Sequence, residues 1–283
     1  MCEVNAMTIN QHFIPQFYQR YWACEQKGFL WEFDKKHING TDRGIRRQAI
    51  RTRNSQAYLY EVDEDNPNNA IENWYSKFET LYAVRYNNLI SSRFCLYRVS
   101  ENDKLMICKL FAHFSARNPI NLYNSPRNNA IAAHFTIGEP NEKIDRRYIQ
   151  NLVAFTEGGM NEIFGDDQKI YSNFEKELIS CKLQFLVTDE LRIVFCNGLI
   201  EQICYLNEYY FPVCPTMIAF FSKSYDINDK EIRKMTSEEY VRFIQLYLRS
   251  KNVAQIYANN KSVLENMLCD QFAANFEDLH EGK

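Results

Sequence analysis

The sequence predicts an α+β fold: a single large domain over residues 1–283, with a mixed or antiparallel sheet formed by N- and C-terminal segments around a helical middle. Two changes of pattern carry that expectation. Apolar residues recur at three and four positions through the middle, roughly 70–156, whereas short β-prone runs lie near the start and again after Ser180. Strands and helices segregated in this way read as α+β, and strands as short as Phe29–Phe33 need partners from elsewhere in the chain. The third observation is sparse punctuation. Nine Gly and seven Pro in 283 residues leave no linker, repeat or low-complexity tract at which to divide the chain, so the helical middle is not expected to be independent.

Each element follows from local chemistry. Pro15 suits the first position of a short helix over Pro15–Cys24, whose Phe17, Tyr18, Tyr21 and Trp22 form one apolar stripe. Gly28 ends it, and Phe29–Phe33 reads as a strand entering a polar turn. An extended, arginine-punctuated piece covers Gly44–Tyr60, and Asp63–Asn69 marks a loop and helix entry. Ile71, Trp74, Tyr75, Phe78, Leu81, Tyr82 and Tyr86 then repeat at helical spacing within Ala70–Ile90. Asn102–Phe114 is a second helix, closed by Arg117-Asn118-Pro119. Helices are expected near Ala130–Phe135 and Ile144–Phe155, before a break at Gly158-Gly159. Leu183–Phe195 and Gln202–Phe221 read as strands separated by turns. A helix capped by Thr236 or Ser237, with Glu238 and Glu239 in its first turn, and another over Lys261–Phe272 follow.

Composition narrows the classes of function. A net charge of −3 supplies no global attraction to nucleic acid or membrane. No apolar run approaches the roughly 18 residues of a membrane span, so no membrane partner is expected. The opening MCEVNAMTINQHF carries Glu3 and no apolar run, so no secretory signal is expected. The nine cysteines contain no C-x-x-C pair and sit among apolar or aromatic neighbours, which reads as free thiols in a reducing, cytoplasmic setting. No Walker loop, G-x-G-x-x-G, G-x-S-x-G or H-E-x-x-H occurs, so no nucleotide or flavin cofactor is expected.

Five constellations stand out, each with a bland alternative. His12 precedes a proline-started helix, where the positive dipole end favours a neutral ring suited to base catalysis or metal ligation; it also reads as a capping or core-bonded histidine. Asp189 follows the apolar run Phe185–Val187 at a strand end, as a metal ligand or as a turn-making aspartate. Glu79 lies at the edge of an apolar helical stripe, as an inward ligand or as a surface partner of Arg85 or Lys77. Arg117 closes its helix and reads as a binder of phosphate, of a buried carboxylate, or of the last carbonyls. Arg43, Arg46, Arg47, Arg51 and Arg53 fall within eleven residues uninterrupted by an acid, as a phosphate-backbone contact or a solvated strand face pairing with Glu61, Asp63 and Glu64.

Several of these words occur together in a known order. The opening Gln11-His12-Phe13-Ile14-Pro15, the aromatic strand Trp31–Lys35, the glutamate-bearing helix around Trp74–Glu79 and the stop Arg117-Asn118-Pro119 are four of them. Phe185–Asp189 and Phe211–Thr216 supply two more. In this the chain resembles the mainly bacterial family known as domain of unknown function 4238. It departs from that pattern at Glu190-Leu191, where Asn-Pro is usual, and at Cys214, where a small serine is usual. The resemblance implies no activity, so the chemistry rests on the residues. They support a metal-dependent phosphodiester hydrolase acting on nucleic acid, in a setting such as bacterial defence or a toxin. His12 would be the base or a ligand, Asp189 and Glu79 would hold Mg2+ or Mn2+, Arg117 would stabilise phosphate charge and the arginine run would bind backbone. The alternative is a non-catalytic interaction protein whose polar set is a buried structural network.

Overall fold

Strands from the two ends of the chain share a sheet. The computed structural model describes residues 9–24, 28–37, 44–61, 67, 69–92, 99–119, 173–197, 204–205, 208–224, 226–250 and 253–269, and among these it forms six α-helices and eleven strands. β2 (Phe29–Asp34) lies between β3 (Ile45–Ala49) and β11 (Gln255–Ala258), and β11 pairs in turn with β6 (Phe195–Cys196), all antiparallel.

The sheet expected from the sequence is divided into three. A mixed sheet of five strands has the order β10-β5-β9-β8-β7, built from β5 (Lys182–Val187), β7 (Cys204–Tyr205), β8 (Glu208–Cys214), β9 (Met217–Ser222) and β10 (Glu231–Lys234). Only β10 with β5 is parallel. A short antiparallel ribbon joins β1 (Asn10–His12) to β4 (Ser55–Ala57).

The five-stranded sheet is covered on both faces, which is why β8 and β9 are apolar at nearly every position rather than at alternate ones. Phe211 points toward α3 (Glu101–Arg117) and stacks on Phe111 at 4.9 Å. Its neighbour Tyr210 points the other way, toward Phe243 of α5 (Ser237–Arg249). Tyr18, on the five-residue α1 (Gln16–Arg20), joins the two large sheets. Its ring meets Phe211 at 5.9 Å and Phe195 at 5.4 Å, and its hydroxyl donates to the Pro212 carbonyl at 2.7 Å. The resulting cluster of buried apolar side chains is continuous from Ile14 to Met267 and includes residues of α2 (Ala70–Ser92). The described residues of α2 and α3 therefore contribute to the same core as the sheets.

Helix boundaries follow their caps. Ser100 and Asp103 form a capping box at the start of α3, and Thr236 with Glu239 forms one for α5. The last described helix, α6 (Lys261–Met267), stops short of the expected Phe272. The helices expected near Ala130–Phe135 and Ile144–Phe155 lie outside the described residues, while α4 (Asn173–Ser180) precedes β5. Among the described residues no helix is long and apolar enough to cross a membrane. Among the described residues Cys24, Cys108, Cys181, Cys196, Cys214 and Cys269 form no disulfide; Cys24 is half-buried and Cys269 is exposed.

Candidate active site

The β1–β4 ribbon is fixed by a glutamine. Gln11 is fully buried; its carbonyl oxygen accepts from the Tyr60 backbone N–H at 2.6 Å and its amide donates to Glu61 at 2.7 Å. Glu61 in turn accepts from the Asn69 backbone N–H at 3.1 Å. The next residue, His12, is thereby aimed away from the ribbon and toward α2. Its Nε2 lies 3.3 Å from the Ile50 carbonyl. A carbonyl only accepts, so this contact sets the tautomer with hydrogen on Nε2 and leaves the Nδ1 lone pair available. The Gln16 amide nitrogen lies beside the ring, 3.5 Å from Nδ1 and 3.4 Å from Nε2. Burial lowers the proton affinity of His12 below the ordinary imidazole range, and the Arg117 charge adds to this against the opposing pull of Ile50 and Glu79.

Arg117, the last residue of α3, is 1% exposed and lies beneath His12. Its Nη1 donates to Glu79 at 2.5 Å, its Nη2 to the His12 carbonyl, and its Nε to the Tyr60 hydroxyl at 3.3 Å. The guanidinium carbon sits 4.1 Å from the Tyr75 ring centre. Burial works against its charge, but Tyr60, Glu79 and Tyr75 outweigh burial and hold the proton on.

Above this pair, between α1 and α2, opens a cleft of about 510 Å³. His12, Gln16 and Arg20 line one wall; Glu72, Ser76, Glu79 and Thr80 line the other. Glu72 and Glu79 share a helical face because seven residues are close to two turns. Glu72 is the most perturbed carboxyl here. Burial pushes its pKa up to about 7, Arg117 pulls the other way, and Glu79 and Glu61 reinforce the rise. Its Oε2 is buried and meets no hydrogen-bond partner among the described residues. A buried carboxyl oxygen without a donor favours the protonated form of Glu72.

The structure brings His12 and Glu79 into one cleft and puts Arg117 under it, but it separates Asp189. Asp189 is not a lining residue; its side chain is 78% exposed and pairs with Lys234 at 2.9 Å. The Asp189–Glu79 metal pair is thus corrected: Glu79 answers Arg117 and Asp189 answers Lys234. Among the described residues, no three His, Cys, Asp or Glu side chains are gathered as a metal site. Arg117 is corrected too, because a side chain this buried and this occupied does not reach a phosphate in the cleft.

The arginine run divides. Arg53 holds both oxygens of the fully buried Glu32, and Arg46 adds a contact to Glu32 at 3.3 Å and one to Asp34 at 3.7 Å. Their partners are therefore on β2, not in the Glu61–Glu64 segment. Arg47 is an exposed residue whose guanidinium covers the Phe29 ring at 4.8 Å, and Arg51 is exposed next to Ile50. Arg43 lies outside the described residues.

Sequence reasoning passed over Glu72 and Arg20. Glu72 sits in the first turn of α2, where the dipole alone explains an acid. The available signal was the polar stripe Glu72, Ser76, Glu79, Thr80, which recurs at three and four along the face beside the apolar one.

Residues 10–262 match the model of the family described as protein of unknown function (DUF4238). No curated protein and no solved structure matches the chain.

Proposed function

The chain belongs to the DUF4238 family, and from its cleft we propose a hydrolase that cleaves phosphodiesters by general acid–base catalysis, with nucleic acid as the substrate class. One observation carries this reading: His12 and Glu72 line the same cleft with proton affinities displaced toward each other, the imidazole downward and the carboxyl up to about 7. Near neutral pH a free imidazole and a protonated carboxyl then coexist, as acid–base catalysis requires. A water oxygen attacks phosphorus while its proton passes to Nδ1 of His12. The bond from phosphorus to the leaving oxygen breaks as that oxygen takes the proton of Glu72. Exchange with solvent then restores both groups. Arg51, exposed next to the Ile50 carbonyl that holds His12, supports a polyanionic substrate.

The test is cleavage of labelled single- and double-stranded nucleic acids across pH 5–9, with EDTA and separately with Mg2+ or Mn2+. The expected result is cleavage that His12→Ala and Glu72→Gln each reduce by about 100-fold or more, with the fold intact. No cleavage in any arm, or full activity in both variants, ends this reading.

Arg117 favours a second reading, a non-catalytic interaction protein. All its directed contacts are internal and tie β1, α2 and α3 together. On that reading His12→Ala costs about 1–3 kcal/mol of stability by stranding buried partners and changes no chemistry.

A further inference from the structure

We infer that Arg20 binds the phosphate next to the scissile one, so that the cleft takes a single-stranded nucleic-acid segment lengthwise between α1 and α2. This deepens the hydrolase reading and rests on it for the identity of the polyanion. His12, Gln16 and Arg20 follow one another at intervals of four along one cleft wall. α1 runs alongside α2 in the same direction: His12 feels the charge of Glu79, Phe17 packs on Tyr86 at 5.9 Å, and the Tyr21 hydroxyl donates to Asn87 at 3.2 Å. Arg20 therefore stands at the end of the cleft away from Glu72, beside Ala83 and Val84. One rise of four residues separates it from Gln16, about 6 Å along the helix.

The cleft is polar lengthwise. One end has Glu72, the middle has His12, and the far end has the exposed Arg20, which makes no ion pair among the described residues. Glu79 does not oppose an incoming phosphate there with a full charge, because Arg117 offsets it. Between middle and far end the wall turns apolar. Val84 is 63% exposed and lines the cleft with Phe17 and Ala83, a surface against which an unpaired base packs. A paired base has no free face to offer it, so the occupant is a single strand.

The experiment uses the full chain in EDTA and a fluorescein-labelled hexanucleotide with phosphorothioate linkages, titrated by anisotropy against wild type, Arg20→Ala, Arg20→Lys and Glu72→Gln. Arg20→Ala is expected to weaken binding about 10–100-fold, as loss of a charge-assisted contact does, with Arg20→Lys in between and Glu72→Gln near wild type. On a cleavable strand Arg20→Ala should raise KM and leave kcat nearly unchanged. Equal binding by wild type and Arg20→Ala, or no binding by wild type, overturns the inference. If Arg20 instead only serves the last carbonyls of α1, Arg20→Ala lowers Tm and leaves anisotropy unchanged. Binding that depends on Arg20 without cleavage of any strand keeps the inference and removes the hydrolase reading; cleavage indifferent to Arg20 does the reverse.

Discussion

Arg117 and Glu79 form an ion pair, 2.5 Å between Nη1 and Oε1, that links the end of α3 to the middle of α2 directly under the His12 backbone. The two members are unequal: Arg117 is 1% exposed and Glu79 is 22% exposed. The arginine is thus the member whose removal strands buried partners, while the glutamate retains access to water.

That asymmetry predicts unequal costs. Arg117→Met leaves the His12 carbonyl without its buried donor and should destabilise by about 3–5 kcal/mol. Glu79→Gln keeps an oxygen that accepts from Nη1, so its cost should be about 1–2 kcal/mol. Urea unfolding of both variants checks the order; a Glu79→Gln cost as large as that of Arg117→Met would contradict it.

Glu72 predicts a pH-dependent stability. Its folded pKa, about 7, lies above the ordinary 4.5, so the native state holds the proton more tightly than the unfolded chain does. The contribution is full below about pH 4.5 and is lost as pH rises through about 7. Glu72→Gln carries no charge to bury, so it should exceed wild type in stability by about 1–3 kcal/mol at pH 8.5. The difference should close toward pH 4.5. Parallel stability curves for the two proteins would show that the carboxyl is not buried against its charge.

The arginine run predicts a separation of roles. Arg53 holds both oxygens of a carboxylate with no exposure, so Arg53→Ala leaves Glu32 only the longer Arg46 and Gln48 contacts and should cost about 3 kcal/mol. Arg46 is half exposed, and Arg46→Ala should cost under about 1 kcal/mol. Arg47→Ala and Arg51→Ala should change stability little and each reduce the salt dependence of nucleic-acid binding by a slope of about 0.7 to 0.9. Thermal melts and salt titrations separate these outcomes.

How much of this was readable beforehand follows from how local each cause is. The cap at Thr236, the helix Ala70–Ser92 and the β8–β9 apolar run are written in adjacent residues and could be read directly. β11 could not. Gln255–Ala258 is four residues long, too short to show a period, and its strand character comes from β2 and β6 on either side. The site divides in the same way. Gln11-His12 and Arg117-Asn118-Pro119 are visible words, but only the packing of α3 on the ribbon shows that Arg117 turns inward to the His12 carbonyl. Asp189 misled because a strand end displays an aspartate equally well to a site or to solvent, and Lys234, brought alongside by the β10–β5 pairing, took it.

The pH dependence of catalysis gives the sharpest test of the cleft, because one remote substitution should move both limbs together. Activity on the hydrolase reading needs His12 unprotonated and Glu72 protonated. It should therefore fall on the acid side as His12 gains its proton, below the ordinary 6.5, and on the alkaline side as Glu72 loses its own near 7. Glu79 raises the proton affinity of both groups by its charge, while Arg117 lowers both. Glu79→Gln removes the negative charge and leaves Arg117 unopposed, so both pKa values fall. The whole profile should shift to lower pH, with activity at pH 7.5 reduced more than activity at pH 6. The measurement is kcat/KM against pH for wild type and Glu79→Gln, on a strand that wild type cleaves. A profile that shifts to higher pH, or only one limb that moves, would show that His12 and Glu72 are not the titrating pair.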